Sequence, residues 1–159
     1  RIVTVEAGGV TVASVYVPNG GKDYAAKVRF LQAMEEFARG AAEAGRDIIL
    51  CADMNVAHTE MDVHPKERKP NAIGQSPEER ALFGRLLDAG LVDVGRALDP
   101  ANDQYFTWWA PWRNMRQRNI GWRLDYVLAS PSLANRARSC PSYREVGTSD
   151  HAPVVATFA

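Results

Sequence analysis

Gly121-Trp122-Arg123-Leu124-Asp125-Tyr126-Val127-Leu128-Ala129-Ser130 sets one carboxylate at the mouth of an apolar run. Tyr, Val, Leu and Ala between a Gly and a Ser read as a buried strand. Further on, Ser149-Asp150-His151-Ala152-Pro153 opens a second strand-like stretch and offers an Asp-His pair. Upstream, Ile48-Ile49-Leu50-Cys51-Ala52-Asp53-Met54-Asn55-Val56-Ala57-His58 repeats the theme, a short β-run delivering an Asp and an Asn at its C-terminal end. A set of carboxylates, an amide and a histidine delivered at strand ends points to metal-assisted phosphodiester hydrolysis.

The flanking chain supplies the layers around these strands. Residues 2–6 and 10–17 read as a hairpin across Gly8-Gly9, before Pro18-Asn19-Gly20-Gly21 breaks the pattern. The second of these strands is apolar on both faces, which suits a central position. From Tyr24 to Ala44, Val28, Leu31, Met34, Phe37, Ala38 and Ala41 recur at helical spacing, with Gly45 suited to the position just past the end. Residues 47–52 form a buried strand, and the polar stretch from Asp53 to Gln75, with Pro65 and Pro70, is a long functional excursion. Ser76-Pro77-Glu78-Glu79 is a capping box with Pro at the first helical position, opening a helix that runs to Ala89. Residues 106–109, 122–129, 136–143 and 153–158 are expected to be strands. Strands alternating with two helices imply an α/β layered architecture, with no repeat, low-complexity tract or linker to mark a second domain.

Composition narrows the function classes. Lys plus Arg and Asp plus Glu stand at 19 each in 159 residues, so no global positive field drives nucleic-acid binding and any such affinity needs a local patch. Trp108 to Arg123 is that patch. It interleaves Trp108, Trp109, Trp112 and Trp122 with Arg113, Arg116, Arg118 and Arg123 and holds no acidic residue. Aromatic faces stack bases at about 1–3 kcal/mol each while Arg neutralises phosphate. The plainer reading makes some of these Trp, Trp109 above all, core residues. Lys66, Arg68 and Lys69 form a second basic cluster, either phosphate-facing or simply solvated. Cys51 and Cys140 make no disulfide framework and fit a reducing compartment, so a cytoplasmic protein is expected. No apolar run approaches the roughly 20 residues of a membrane span. The chain opens directly on strand-like residues without an initiator Met or signal-peptide pattern, and is expected to be part of a longer protein.

Asp53 and Asn55 stand two apart, so in an extended segment they point the same way, one polarising a water and the other bonding it or a phosphate. The same pair equally suits an Asx turn serving local backbone bonds. His151 beside Asp150, with Asp125 on another strand, fits a histidine oriented by a carboxylate, which fixes the tautomer and favours the charged ring. A capped strand start with a surface His is its alternative. Tyr16 and Asn19 bracket Val17-Pro18 as site groups or as a core Tyr with a turn Asn, whereas His58 and His64 lack any zinc spacing with the cysteines.

The order Tyr16-Val17-Pro18-Asn19, Ala52-Asp53-Met54-Asn55-Val56-Ala57-His58, Gly121-Trp122-Arg123-Leu124-Asp125-Tyr126 and Ser149-Asp150-His151-Ala152-Pro153 resembles the exonuclease III family of AP endonucleases, within the endonuclease/exonuclease/phosphatase superfamily. The resemblance runs along essentially the whole chain, on four blocks in the family's order, and matches the C-terminal part of such an enzyme. The family's opening strand with its Trp-Asn-x-Asn-Gly block, and its Gln-Glu block with a metal-ligand Glu, have no counterpart.

The resemblance implies a four-layer α/β sandwich lacking its N-terminal portion, with residues 1–159 as a single partial catalytic domain. It implies a DNA repair nuclease that hydrolyses the phosphodiester 5′ to abasic sites, with 3′-to-5′ exonuclease or 3′-phosphodiesterase activity, using Mg2+ or in its place Mn2+. Its partner is double-stranded DNA with abasic sites; the full-length protein is expected to be monomeric and nucleoid-associated. By resemblance, Asp53 activates the attacking water, Asn55 helps hold substrate or metal, His151 contacts the scissile phosphate with Asp125 as its partner, and Tyr16 stabilises charge at the leaving group. Asn19 contacts phosphate, and Trp108, Trp122 and Leu124 wall a pocket for a base-free sugar; from composition alone, Arg113, Arg116 and Arg118 either track the DNA phosphates or merely solvate the loop. Asp53, Asn55 and Asp150 are the expected metal ligands. A catalytically incomplete DNA-binding or scaffold module, or a phosphatase or phospholipase branch of the superfamily, are the alternatives.

Overall fold

The computed structural model describes residues 1–159. β1 (Ile2–Ala7) and β2 (Val10–Tyr16) form an antiparallel hairpin, closed by Gly8 and Gly9, both at positive φ as the tight turn requires. α1 (Tyr24–Glu43) is capped by the Asp23 side chain on Ala26 N–H, and it leads into β3 (Asp47–Asp53), parallel to β2. The excursion that follows is ordered by two short 3-10 turns, Glu60–Asp62 and Pro65–Glu67. α2 (Pro77–Asp88) starts on the expected reciprocal capping box between Ser76 and Glu79. β4 (Val92–Asp93) and α3 (Val94–Leu98) come next, then β5 (Asp125–Ala129), α4 (Pro131–Ala134), β6 (Ala137–Ser139) and β7 (Thr157–Phe158).

The main sheet has the order β1-β2-β3-β5-β4, and β6 pairs with β7 in a second, two-stranded sheet. Strand alternation divides the sheet into two faces. Ala13, Val15, Ile48, Leu50, Ala52, Tyr126 and Leu128 pack on one face against Leu31, Met34 and Ala38 of α1 and Leu82, Phe83 and Leu86 of α2. Val127 and Ala129 look the other way, with Ile49, and pack against Ala137 and Phe158 of the second sheet and Cys140 just past β6. Helix, sheet and sheet are thus stacked in the mixed α/β arrangement expected. β2 lies inside the sheet as anticipated, whereas β1 is its exposed edge, with Val3 73% exposed. No helix is long and apolar enough to cross a membrane.

Four expected strands shrink, for a common reason: their backbone groups have other partners. Residues 106–109 make only isolated bridges, Trp108 with Trp122 and with His151. The stretch from 122 becomes a strand only at Asp125, because Thr107 Oγ1 accepts the N–H groups of Leu124 and Asp125 while Arg123 N–H goes to Asp62. The last two keep a ladder only at Ala137–Ser139 and Thr157–Phe158; between them Tyr143 N–H donates to Pro153 O and Val155 N–H to Pro141 O, leaving Ser142 and Val154 as an isolated bridge.

Candidate active site

Strand register builds the site. Tyr16 of β2 stands opposite Asp53 of β3, and Asp53 opposite Asp125 of β5, so three site residues form one row across adjacent strands. All three share parity with the face toward the second sheet, away from the helices. A cleft of about 470 Å³ opens there, lined by Tyr16, Asn19, Asp53, Asn55, Ile73, Trp108, Trp122, Leu124, Asp150 and His151. A larger cavity of about 650 Å³ beside Tyr105, Cys140 and Tyr143 holds none of the expected site residues.

His151 reaches the row from the far end of the chain. Its Nδ1 lies 2.9 Å from Asp125 Oδ2, the pairing expected of an oriented histidine. Burial works against a charged ring, yet the hydrogen bond and charge of Asp125 outweigh it, and the pKa of His151 stands above its ordinary value. Thr107 completes the arrangement: fully buried, it donates from Oγ1 to Asp125 Oδ2 at 2.6 Å. No local motif marks Thr107; only the bridge between residues 107–108 and 122 brings it beneath Asp125.

Asp53 and Asn55 are joined by an Asx turn and not by an extended segment. Asn55 N–H donates to Asp53 Oδ1 at 3.0 Å and Asn55 sits at φ +49°, a left-handed conformation that Asn tolerates. The turn serves the site as well as the backbone. Asn55 Nδ2 donates to Val17 O at 2.9 Å and Asp53 Oδ2 at 3.2 Å, and Asn19 Nδ2 donates to Asn55 Oδ1 at 3.2 Å. Burial, then the nearby charge of Asp125, pushes the Asp53 carboxyl up from 3.8 to about 6.

Among carboxylates and imidazole, the structure groups Asp53 with Asp125 and His151, one ligand atom from each lying within 4.8 Å of the others. This differs from the expected metal set of Asp53, Asn55 and Asp150. Asp150 is exposed, its Oδ2 accepts the Trp108 indole N–H at 2.9 Å, and that bond holds its pKa low. Asp53 and Asp150 nevertheless border the same cleft, which suits an ion held by one or two carboxylates and otherwise by water and substrate oxygen.

Trp108 and Trp122 meet edge to face with centroids 5.8 Å apart, and Leu124 is buried beside them at the cleft wall. Trp109 is a core residue at 1% exposure. The arginines divide. Arg113 is exposed at φ +55°, and exposed Arg118 bonds its carbonyl at 3.4 Å. His64 is held below its ordinary pKa first by burial and then by the charge of Lys66, with Arg68 and Arg118 adding and Glu67 opposing. Arg68 is nonetheless partly engaged, donating to Val63 O and pairing with Glu60. Two corrections follow. Arg123 is 1% exposed, paired with Asp62 and Asp93 and 4.4 Å from the Tyr126 ring centroid, so it belongs to the core and not to the basic surface. Arg116, expected on the DNA track, directs its guanidinium to backbone carbonyls of residues 144–151.

Beneath the cleft lies a buried pair that sequence reading missed. Lys27 Nζ donates to Glu79, to Asn55 O at 2.8 Å and to Asn19 O at 3.1 Å, tying both site asparagines to the helices. Glu79 accepts in addition from Gly74 N–H, which fixes the backbone behind Trp122, where a Cβ on Gly74 would stand 3.2 Å from the ring. A lysine on the apolar stripe of α1, one turn before Leu31, was the available signal.

The sequence and the fold recur among known proteins. The family model described as "Endonuclease/Exonuclease/phosphatase family" matches residues 2–151. An exodeoxyribonuclease of Bacillus subtilis is 37% identical over 97% of the chain and 62% of its own length. A DNA-(apurinic or apyrimidinic site) endonuclease of Dictyostelium discoideum is 36% identical over 97% of the chain and 44% of its own length. The chain thus spans less than two thirds of the length of either relative. Among solved structures, an AP endonuclease from Archaeoglobus fulgidus superposes with a TM-score of 0.89 at 30% identity, covering 99% of this chain and 65% of that one. The 3′ phosphatase NExo from Neisseria, solved with a product DNA hairpin, gives 0.91 at 32% identity over 100% of this chain and 65% of that one. With its row of site residues and its four motif blocks in order, the chain belongs to the endonuclease/exonuclease/phosphatase family.

Proposed function

We propose that the protein is a Mg2+-dependent DNA repair nuclease that hydrolyses the phosphodiester 5′ to an abasic site, with 3′-to-5′ exonuclease or 3′-phosphodiesterase activity in the same cleft. The observation that carries this reading is the Tyr16-Asp53-Asp125 row, with His151 seated on it, in a cleft walled by Trp108, Trp122 and Leu124. Asp53, Asn55 and Asp150 would hold Mg2+, or Mn2+ in its place, which would supply positive charge to offset that of the phosphate. Asp53, its pKa raised to about 6, is ionised at neutral pH yet basic enough to accept the proton of an attacking water. The water oxygen bonds to phosphorus as the bond to the 3′ oxygen breaks, and the Tyr16 phenol gives that oxygen a proton. His151, kept charged by Asp125, faces the negative charge that builds on the phosphate. Asn19 and Asn55 orient the phosphate, the aromatic wall admits a base-free sugar, and exposed Arg113 and Arg118 follow the flanking backbone. On this reading residues 1–159 belong to one catalytic domain of a monomer that acts on cytoplasmic, nucleoid DNA, and Cys51 and Cys140 remain free thiols.

Single-turnover cleavage of duplexes carrying an abasic-site analogue, an intact nucleotide or a 3′-phosphate tests this in the full protein, with Mg2+ or with EDTA. Abasic cleavage that needs Mg2+ and drops at least about 10²-fold in Asp53→Asn and His151→Ala is expected. Near wild-type rates in both variants, with native circular dichroism, would sink the assignment.

A further inference from the structure

Asp150 and His151 reach the cleft from a segment with almost no secondary structure of its own. Residues 145–150 are exposed, none belongs to a strand or helix, and Gly147 turns the chain at φ +83°. Three carbonyls of residues 144–149 nevertheless converge on one side chain: Arg116 Nε donates to Arg144 O at 2.7 Å, Nη2 to Val146 O at 2.8 Å, and Nη1 to Ser149 O. Nη1 also reaches His151 O at 3.4 Å. The guanidinium plane is fixed from behind, its carbon 5.1 Å from the centroid of the buried Trp109 ring. Trp109 grips the same segment directly, its N–H donating to Asp150 O at 3.0 Å.

We infer that Arg116 is a positioning residue: its guanidinium clamps residues 144–151 onto the Trp109 core and thereby sets Asp150 and His151 in the cleft. The inference rests on the nuclease reading for its consequence and separates Arg116 from the exposed Arg113 and Arg118, of which only the Arg118 side chain makes a bond within the chain, a long one of 3.4 Å to Arg113 O. A planar fork with donors on three nitrogens can face three carbonyls at once. An ammonium keeps the charge and three donors, but all on one nitrogen, so it cannot span carbonyls spread around a guanidinium plane. A clamp and a phosphate contact therefore respond oppositely to lysine.

The experiment compares Arg116→Lys and Arg116→Gln with wild type in the full protein, by amide hydrogen exchange over residues 143–151 and by abasic-site cleavage at several salt concentrations. The clamp predicts exchange in this segment faster by at least about tenfold in both variants, with α1 and β3 unchanged. It also predicts kcat down by up to roughly 10²-fold, as for a displaced catalytic group. KM and the slope of log K against log[salt] should hold in Arg116→Lys. Wild-type exchange and kcat in Arg116→Lys, with Arg116→Gln losing about 0.9 from the salt slope, would make Arg116 a phosphate contact and overturn the clamp. Should either variant fail to fold, the other carries the comparison. If wild type itself leaves abasic DNA uncut, the nuclease reading fails while exchange still decides the clamp.

Discussion

Asp53→Asn should abolish activity and stabilise the fold, by an amount that depends on pH. The Asp53 carboxyl titrates near 6 in the folded protein against an ordinary 3.8. Below both values it is protonated in either state and contributes nothing; as pH rises through this window the unfolded chain releases its proton first, so folding is progressively penalised. Linkage puts the penalty at about 1 kcal/mol at pH 4.5 and about 3 kcal/mol at pH 7.5. Asparagine never ionises and escapes this term. It forfeits the bond from Asn55 Nδ2 to Asp53 Oδ2, worth about 1 kcal/mol, while its own oxygen can still accept from Asn55 N–H. The expected net gain is about 2 kcal/mol at pH 7.5 and near zero at pH 4.5, or roughly 4–8 °C in Tm for a chain of this size. Urea unfolding of both proteins in EDTA at the two pH values measures it. A gain equal at both, or a loss at pH 7.5, would refute the claim that ionised Asp53 is strained by burial and by Asp125. Adding Mg2+ should narrow the difference, because the ion is expected to favour the carboxylate.

The rate should rise with pH as Asp53 deprotonates through about 6 and fall at higher pH as His151 loses its proton; Asp125→Asn should move the alkaline limb to lower pH, which a kcat/KM profile checks. An unmoved limb would remove Asp125 as the support for His151. Trp122→Ala should erode discrimination between abasic and intact duplex, whereas Arg113→Ala and Arg118→Ala should weaken both and flatten the salt slope by about 0.9 per lost phosphate contact. Binding isotherms across salt concentrations separate the two classes, and an intact abasic preference in Trp122→Ala counts against the pocket. Lys27→Met should destabilise by about 3–5 kcal/mol, since Glu79 is left charged and buried, and Lys27→Met with Glu79→Leu should recover part of this in urea unfolding. A double variant worse than the single would mean that Glu79 keeps its other bonds at full value without Lys27.

What could be read along the chain is what local physics settles. The Gly8-Gly9 turn, the apolar stripe of α1, the buried run of β3 and the capping box at Ser76 each carry their signal within a few residues, and each formed where expected. The four motif blocks likewise carried the family. Tertiary structure decided what depends on partners distant in sequence. Tyr16, Asp53 and Asp125 became one row only through the register of three strands, and Asp125 became His151's support only with Thr107 beneath it. Arg113, Arg116, Arg118 and Arg123 look alike in sequence, yet two stay in solvent, one grips a loop and one is buried between Asp62 and Asp93. Lys27, a polar interruption on an apolar helix face, became the anchor under the cleft because Glu79 arrives from another helix. Backbone preferences act over a turn or two and are legible locally; the role of a charge is set by which groups desolvate it and pair with it, and only the folded chain brings those groups together.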